Sequence, residues 1–85
     1  MNGTIKYTER GELVAEVRQK DAAFVAANSV VEVEGVTGKV KKFGQVFKGK
    51  QYLYLVNATG AIPTRTPTEY VEVIPQDDGR SEIFA

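Results

Sequence analysis

The stretch Val30–Asn57, VVEVEGVTGKVKKFGQVFKGKQYLYLVN, decides the fold. Val31 and Val33 alternate with Glu32 and Glu34; Val36, Gly38 and Val40 alternate with Thr37, Lys39 and Lys41; Leu53 and Leu55 alternate with Tyr52, Tyr54 and Val56. A period of two marks strands that bury one face, so the stretch reads as most of a three-stranded sheet. Turns are expected over Gly35–Gly38 and Gly44–Gly49, because glycine takes a positive φ at little cost where a chain reverses.

Outward from this sheet, Thr4–Thr8 and Leu13–Val17 flank Glu9-Arg10-Gly11-Glu12 and read as a hairpin that turns at Gly11. Ile5, Tyr7, Leu13, Ala15 and Val17 are its core-facing residues. Asp21 is placed to cap one helical turn over Ala22–Ala27, where four of six residues are alanine, and Asn28 to end it in the left-handed region. The competing reading is a loop running on into the third strand. Past the central sheet, Ala58-Thr59-Gly60 reads as a turn and Ala61–Thr66 as an extended edge segment, since Pro63 and Pro67 cannot donate to a ladder. Pro67-Thr68-Glu69-Tyr70 then delivers Val71–Ile74 as a last strand, which Pro75 ends. Leu13, Val17, Val31, Val33, Val40, Leu53, Leu55, Val71 and Val73 are expected to form one core.

Twelve valines and four isoleucines against three leucines agree with strands, where β-branched side chains lose little freedom. A sheet this small removes its edges by closure. The expected fold is therefore all-β: a small barrel of five to six strands with one short helical turn, spanning residues 1–75, followed by an acidic tail with an apolar tip at 76–85. With 85 residues the chain makes one domain and buries only about 60–65% of its unfolded surface, which leaves no room for a large internal pocket.

The chain has no cysteine and no histidine, and its only serines are Ser29 and Ser81. Thiol chemistry, the usual zinc and haem ligands and the neutral-pH proton shuttle are thereby missing. The expectation is a protein that is not an enzyme, binds no metal and carries no cofactor. No segment approaches the roughly 20 apolar residues that span a bilayer, and the N-terminal MNGTIKYTER holds no apolar run of signal-peptide length. A cytoplasmic protein without a membrane partner is expected.

The net charge is +0, but the charges are segregated. Lys39, Lys41, Lys42, Lys48, Lys50 and Arg65 lie between Gly35 and Thr68 with no acid among them, while the remainder holds five basic residues against eleven acids. The middle of the chain is positive and its ends are negative.

Ile62-Pro63 followed by Thr66-Pro67-Thr68-Glu69-Tyr70-Val71-Glu72-Val73-Ile74 resembles the C-terminal end of Src-homology-3 domains, which close with a proline, a one-turn helix ending in tyrosine and a valine-rich last strand. The lysine hairpin before it sits where that fold has its distal hairpin. The resemblance covers about the last half of the chain and concerns architecture. Pro67 and Tyr70 match groove positions of the peptide-binding members. Their tryptophan is absent, and Tyr7-Thr8-Glu9 departs from their aromatic-aspartate-tyrosine motif. The resemblance implies a Src-homology-3-like barrel, an architecture used for nucleic-acid, protein and assembly modules alike.

Two surfaces and the tail are the candidate sites. Lys39, Lys41, Lys42, Lys48 and Lys50, interleaved with Tyr52 and Tyr54, combine phosphate-pairing charges with rings that stack on bases. The plain alternative is a solvated hairpin whose lysines prevent edge-to-edge pairing. Tyr7, Pro67 and Tyr70 suit a protein interface, tyrosine being rigid and amphipathic, or cover the ends of a thin barrel. Ile83 and Phe84 behind Asp77, Asp78 and Glu82 form a tip that docks on a partner, folds back or stays disordered. The sequence thus points to a non-enzymatic module for protein partners, self-association or an assembly, with nucleic-acid binding through the lysine hairpin as the alternative.

Overall fold

A computed structural model describes residues 1–64 and the backbone of residues 70–71. The chain is all-β. Its strands are β1 (Gly3–Thr8), β2 (Leu13–Arg18), β3 (Val30–Val33), β4 (Val36–Phe47), β5 (Lys50–Gly60) and β6 (Tyr70–Val71), with a single short helix α1 (Gln19–Ala22) between β2 and β3. They form one sheet in the order β3-β4-β5-β2-β1-β6. β1 to β5 are antiparallel to their neighbours, and β6 pairs parallel to β1 through Tyr7–Tyr70 and Thr8–Val71.

The sheet curls into a half-barrel that brings the start of β1 beside β3. No ladder joins these two strands among the described residues. Instead, the Ile5 N–H donates to Glu34 Oε1 at 2.7 Å, and the Met1 ammonium donates to the Glu32 carbonyl at 2.7 Å. One carboxylate and one terminal amine thus span the seam where a closed barrel would have backbone bonds.

The inward residues follow the alternation of the sequence. Ile5, Ala15, Val17, Val33, Val36, Val40, Phe43, Leu53 and Leu55 pack with Ala22 into one buried cluster. Leu13 and Val31 lie at its margin, only partly buried. The side chains of Val71 and Val73, also expected in the core, lie outside the described residues.

Four boundaries differ from the sequence reading, each for a local reason. The first turn is two residues long, Glu34-Gly35, with φ of 52° and 79°, and β4 begins at Val36 instead of beyond Gly38. The second turn is likewise two residues, Lys48-Gly49, with φ of 47° and 75°. Two consecutive positive φ values give the primed hairpin turn whose twist matches the flanking strands. β4 therefore runs straight through Gly44, and a register slip between Phe43 and Val46 absorbs the extra residue. Buried Gln51 ties this irregularity down, its Nε2 donating to the Gly44 carbonyl at 3.2 Å.

In the same way β5 continues through Ala58-Thr59 to Gly60, because Asn57 takes φ 55° and lets the strand slip in register where a turn was expected. Gly60 closes the contact: at φ 97°, a Cβ there would stand 2.2 Å from the Gly35 oxygen. The helix, finally, lies over Gln19–Ala22 rather than Ala22–Ala27. It follows directly from β2, held by Arg18 Nε donating to Asp21 Oδ2 at 3.1 Å, so the alanine-rich segment comes after it. Asn28 does take the left-handed φ of 70°.

Candidate functional site

Alternation and register assign the outer, convex face of the sheet residue by residue. Lys6 lies opposite Val14, Val14 opposite Tyr54, and Tyr54 opposite Lys42; in the next row Glu16 lies opposite Tyr52, and Arg18 opposite Lys50. Val40 faces Leu55 and Lys42 faces Tyr54, so two steps along β4 meet one step along β5. Lys41 is the extra residue, and it is exposed. This bulge lets Lys42 join Lys39 on the outer side although the two differ by an odd number of positions.

Tyr52 and Tyr54 stand together on this face, as the alternation requires, but the two residues are only 5% and 4% exposed. With Val14 they form a second buried cluster, against which Phe47 packs. Phe47 stacks on Tyr52 at a centroid distance of 4.8 Å and an interplanar angle of 22°, and Lys42 Nζ sits 4.6 Å above the Tyr54 ring. One aromatic face of each tyrosine is thereby occupied by a neighbour from β4.

Glu16 is the acidic centre of the face. Its carboxylate accepts from Lys6 Nζ at 2.9 Å and from Lys50 Nζ at 3.3 Å, with the side chain 10% exposed. Burial alone would push its pKa up, but the two lysine hydrogen bonds and charges outweigh this and hold it below the ordinary carboxylate value. Tyr52 is pushed up by burial first, then by the charge of Glu16 and a hydrogen bond with it. Tyr54 is pushed up by burial and by the charge of Glu12, which Arg10 partly offsets.

The five lysines do not form one patch. Lys39, Lys41 and Lys42 lie along the middle of β4, whereas Lys48 is in the turn at its far end, nine residues from Lys39 and so roughly 25–30 Å away at the rise of a strand. Lys50 is held by Glu16, and Lys42 by Tyr54. Chemically, this face can present separated ammonium groups to anions over an aromatic floor that is already covered.

Tyr7, placed by the alternation toward the core and by its residue type at an interface, is buried, and its hydroxyl donates to the Pro63 carbonyl at 2.9 Å. It thus anchors the segment leading away from β5. The backbone of Tyr70 lies beside Tyr7 in the β1–β6 pairing. Pro67, Ile83, Phe84 and the Tyr70 ring lie outside the described residues, as does the tail at 76–85.

A different surface escaped the sequence reading. Phe24 is 90% exposed, and with Met1, Asn2, Arg18 and Asp21 it lines an open depression at one end of the half-barrel. Met1 connects this depression to β3 through its bond to Glu32, and Val30 on that strand is 66% exposed. Phe24 lies within AAFVAA, whose alanines read as one helical turn. Once the helix stops at Ala22, the ring has no face to bury. Among the described residues no group of three acids could hold a metal ion, and no helix is long and apolar enough to cross a membrane.

Fold and surfaces together define a class: a small all-β half-barrel with lysines along its outer face and an exposed phenylalanine at an open depression. Comparison of the chain with protein-family models, with curated proteins and with solved structures finds no match in any of the three.

Proposed function

We propose that this half-barrel is a non-enzymatic binding module for protein, an assembly subunit of the Src-homology-3-like kind, and that it makes contact through the end carrying Phe24, Met1 and the outer edge of β3. The observation that carries this reading is the exposure of Phe24 at 90%, with Met1, 41% exposed, in the same depression. Soluble monomers keep few contiguous apolar patches, and a phenyl ring gains about 1.5–3 kcal/mol when it leaves water. The Src-homology-3-like part rests on the Ile62–Ile74 motif, the start of which is held against β1 by the Tyr7–Pro63 hydrogen bond. The absence of cysteine and histidine from the sequence supports a non-enzymatic role.

A photoreactive phenylalanine analogue at position 24 tests this directly. Cross-links from position 24, to a second copy or to another protein, are expected, with none from the same analogue at position 48. Equal labelling from both positions, or from neither, overturns the reading.

One observation favours a second reading. Lys39 and Lys41 are exposed on the outer side of β4 and have no acidic partner among the described residues. They support weak polyanion binding that engages phosphates and not bases, since the Tyr52 and Tyr54 rings are covered. With three to five phosphates engaged, the log-log salt slope for oligonucleotides would be roughly −2 to −4, and replacing Lys39, Lys41 and Lys42 by Gln would flatten it by about two to three. No binding at low salt and high micromolar protein removes this reading and leaves the first untouched.

A further inference from the structure

We propose that β3 is the edge through which two copies of this chain pair, antiparallel about Val31, so that one sheet continues across a two-fold axis. The inference rests on the protein-binding reading and names the partner as a second copy.

The argument begins with which backbone groups β3 has already used. Its ladder to β4 pairs Val31 with Gly38 and Val33 with Val36, and it extends backward through the Val40 N–H donating to the Ser29 carbonyl at 2.8 Å. The C=O of Ser29 and both backbone groups of Val31 and Val33 therefore turn toward β4, and Val30 and Glu32 turn theirs away from the sheet. Among the described residues β3 pairs with no strand but β4. The outward groups are two donors and two acceptors, placed evenly on either side of Val31. Of the four, only the Glu32 carbonyl is engaged among the described residues, by the exposed Met1 ammonium.

This set is complementary to itself. With Val30 of each copy opposite Glu32 of the other, each Val30 N–H donates to a Glu32 carbonyl and each Glu32 N–H donates to a Val30 carbonyl. All four bonds form at once, as a two-fold interface requires. The carbonyl of Glu32 must leave Met1 or share its second lone pair with it.

Charge selects the same arrangement. Lys39 lies beside Val30 in the β4 ladder, and neither Lys39 nor the exposed Glu32 has an ion-pair partner among the described residues. In the antiparallel pair the row reads Lys39, Val30, then Glu32 of the second copy. Across strands spaced about 4.8 Å, the lysine and glutamate side chains can meet over the small valine. A parallel pairing in register would set Glu32 against Glu32 instead, and like charges oppose one another there. β3 is a short edge strand with no proline and no lysine, and Val30 and nearby Met1 are exposed apolar residues; the start of β1 and the Met1 ammonium, which lie beside Glu32 and Glu34, move aside for the second copy.

Sedimentation equilibrium of the full chain, up to high micromolar concentration, gives the reference dimer constant. Val30→Pro deletes one outward donor without touching the β4 ladder, and Glu32→Lys sets like charges facing each other; each is expected to weaken the dimer about tenfold or more. Glu32→Lys combined with Lys39→Glu restores the row with its signs exchanged and should recover most of the affinity, an outcome that loss of fold cannot imitate. Circular dichroism checks that the single variants are folded. A dimer that ignores both single variants but is lost with Phe24→Ser overturns the β3 pairing and leaves the apolar end as the contact. A strict monomer overturns the pairing as well, and the cross-linking at position 24 then judges the module reading alone.

Discussion

On β5, Leu53 and Leu55 point into the half-barrel while Tyr52 and Tyr54 point away from it, yet all four are buried. The inner pair belongs to a cluster of apolar side chains drawn from four other strands, Phe43 opposite Leu53 among them. The outer pair is enclosed by what lies flat upon it: Val14 beside it, Phe47 stacked on one ring, Lys42 over the other and the Glu16–Lys6–Lys50 group along the side. The difference teaches how a thin sheet covers both faces. The inner face uses packing, which is strong and unforgiving; the outer face uses rings roofed by long charged side chains, whose stems shield apolar surface while their heads stay in water.

The largest effect should come from the inner face. Leu53→Ala leaves a cavity in a fully buried site and should cost about 2–5 kcal/mol in denaturant melts. A loss below about 1 kcal/mol would mean that the inner face does not hold the fold, and the distinction between the faces would fall.

Tyr52→Ala should come next, at about 1.5–3 kcal/mol, because Phe47 and the lysine stems can settle into the space the ring leaves. A loss equal to or greater than that of Leu53→Ala would make the outer cluster a second core and not a roofed surface. The comparison requires both melts to keep the same dependence on denaturant, so that stability alone is read.

How much of this contrast could be read in the sequence follows from the same residues. The alternation Tyr52-Leu53-Tyr54-Leu55 separates the faces without ambiguity, since a strand has only two. What it cannot give is the depth of the outer face. That depends on Lys42 and Phe47 reaching it, and therefore on two register slips in β4, at 40–42 and 43–46. Slips are long-range facts about which residues of two strands are opposed. The glycines marked both turns, but Glu34 and Lys48 are unusual first residues for a two-residue primed turn, so the turns looked longer than they are. The exposure of Phe24 was not legible, because it depends on where α1 stops. The lysine, tyrosine and tail candidates were legible as residue types but not as a site, for they occupy separate parts of the sheet or lie outside the described residues.

The roof should be sensitive to pH where the inner core is not. Glu16 has a folded pKa held below its ordinary value, so the unfolded state binds the proton more readily. Its contribution is full above the unfolded value of 4.5 and is lost as pH falls through the folded one. Tyr52 and Tyr54 are raised above 10.0, so the stability they lend is full below that pH and is lost as pH rises beyond it. Glu16→Gln should therefore lower stability at pH 7 and lose less than the parent chain between pH 7 and pH 3. Parallel curves for the two proteins across that interval would mean the Glu16–lysine group contributes nothing.

The smallest effect distinguishes two adjacent lysines. Lys42 is half-buried over the Tyr54 ring at 4.6 Å, whereas Lys41 is exposed and has no ion pair or ring contact among the described residues. The two are alike in charge, in local sequence and in propensity, so their difference isolates the roof contact. Lys42→Gln should cost about 0.5–1 kcal/mol, the size of a cation–π contact near the surface. Lys41→Gln should be neutral within about 0.5 kcal/mol, as a surface residue away from special features usually is. The Lys42 penalty should persist in high salt, since a cation close against a ring is less screened than charges that meet through water. Equal penalties for the two variants would leave Tyr54 covered by geometry alone, with no energy in the contact.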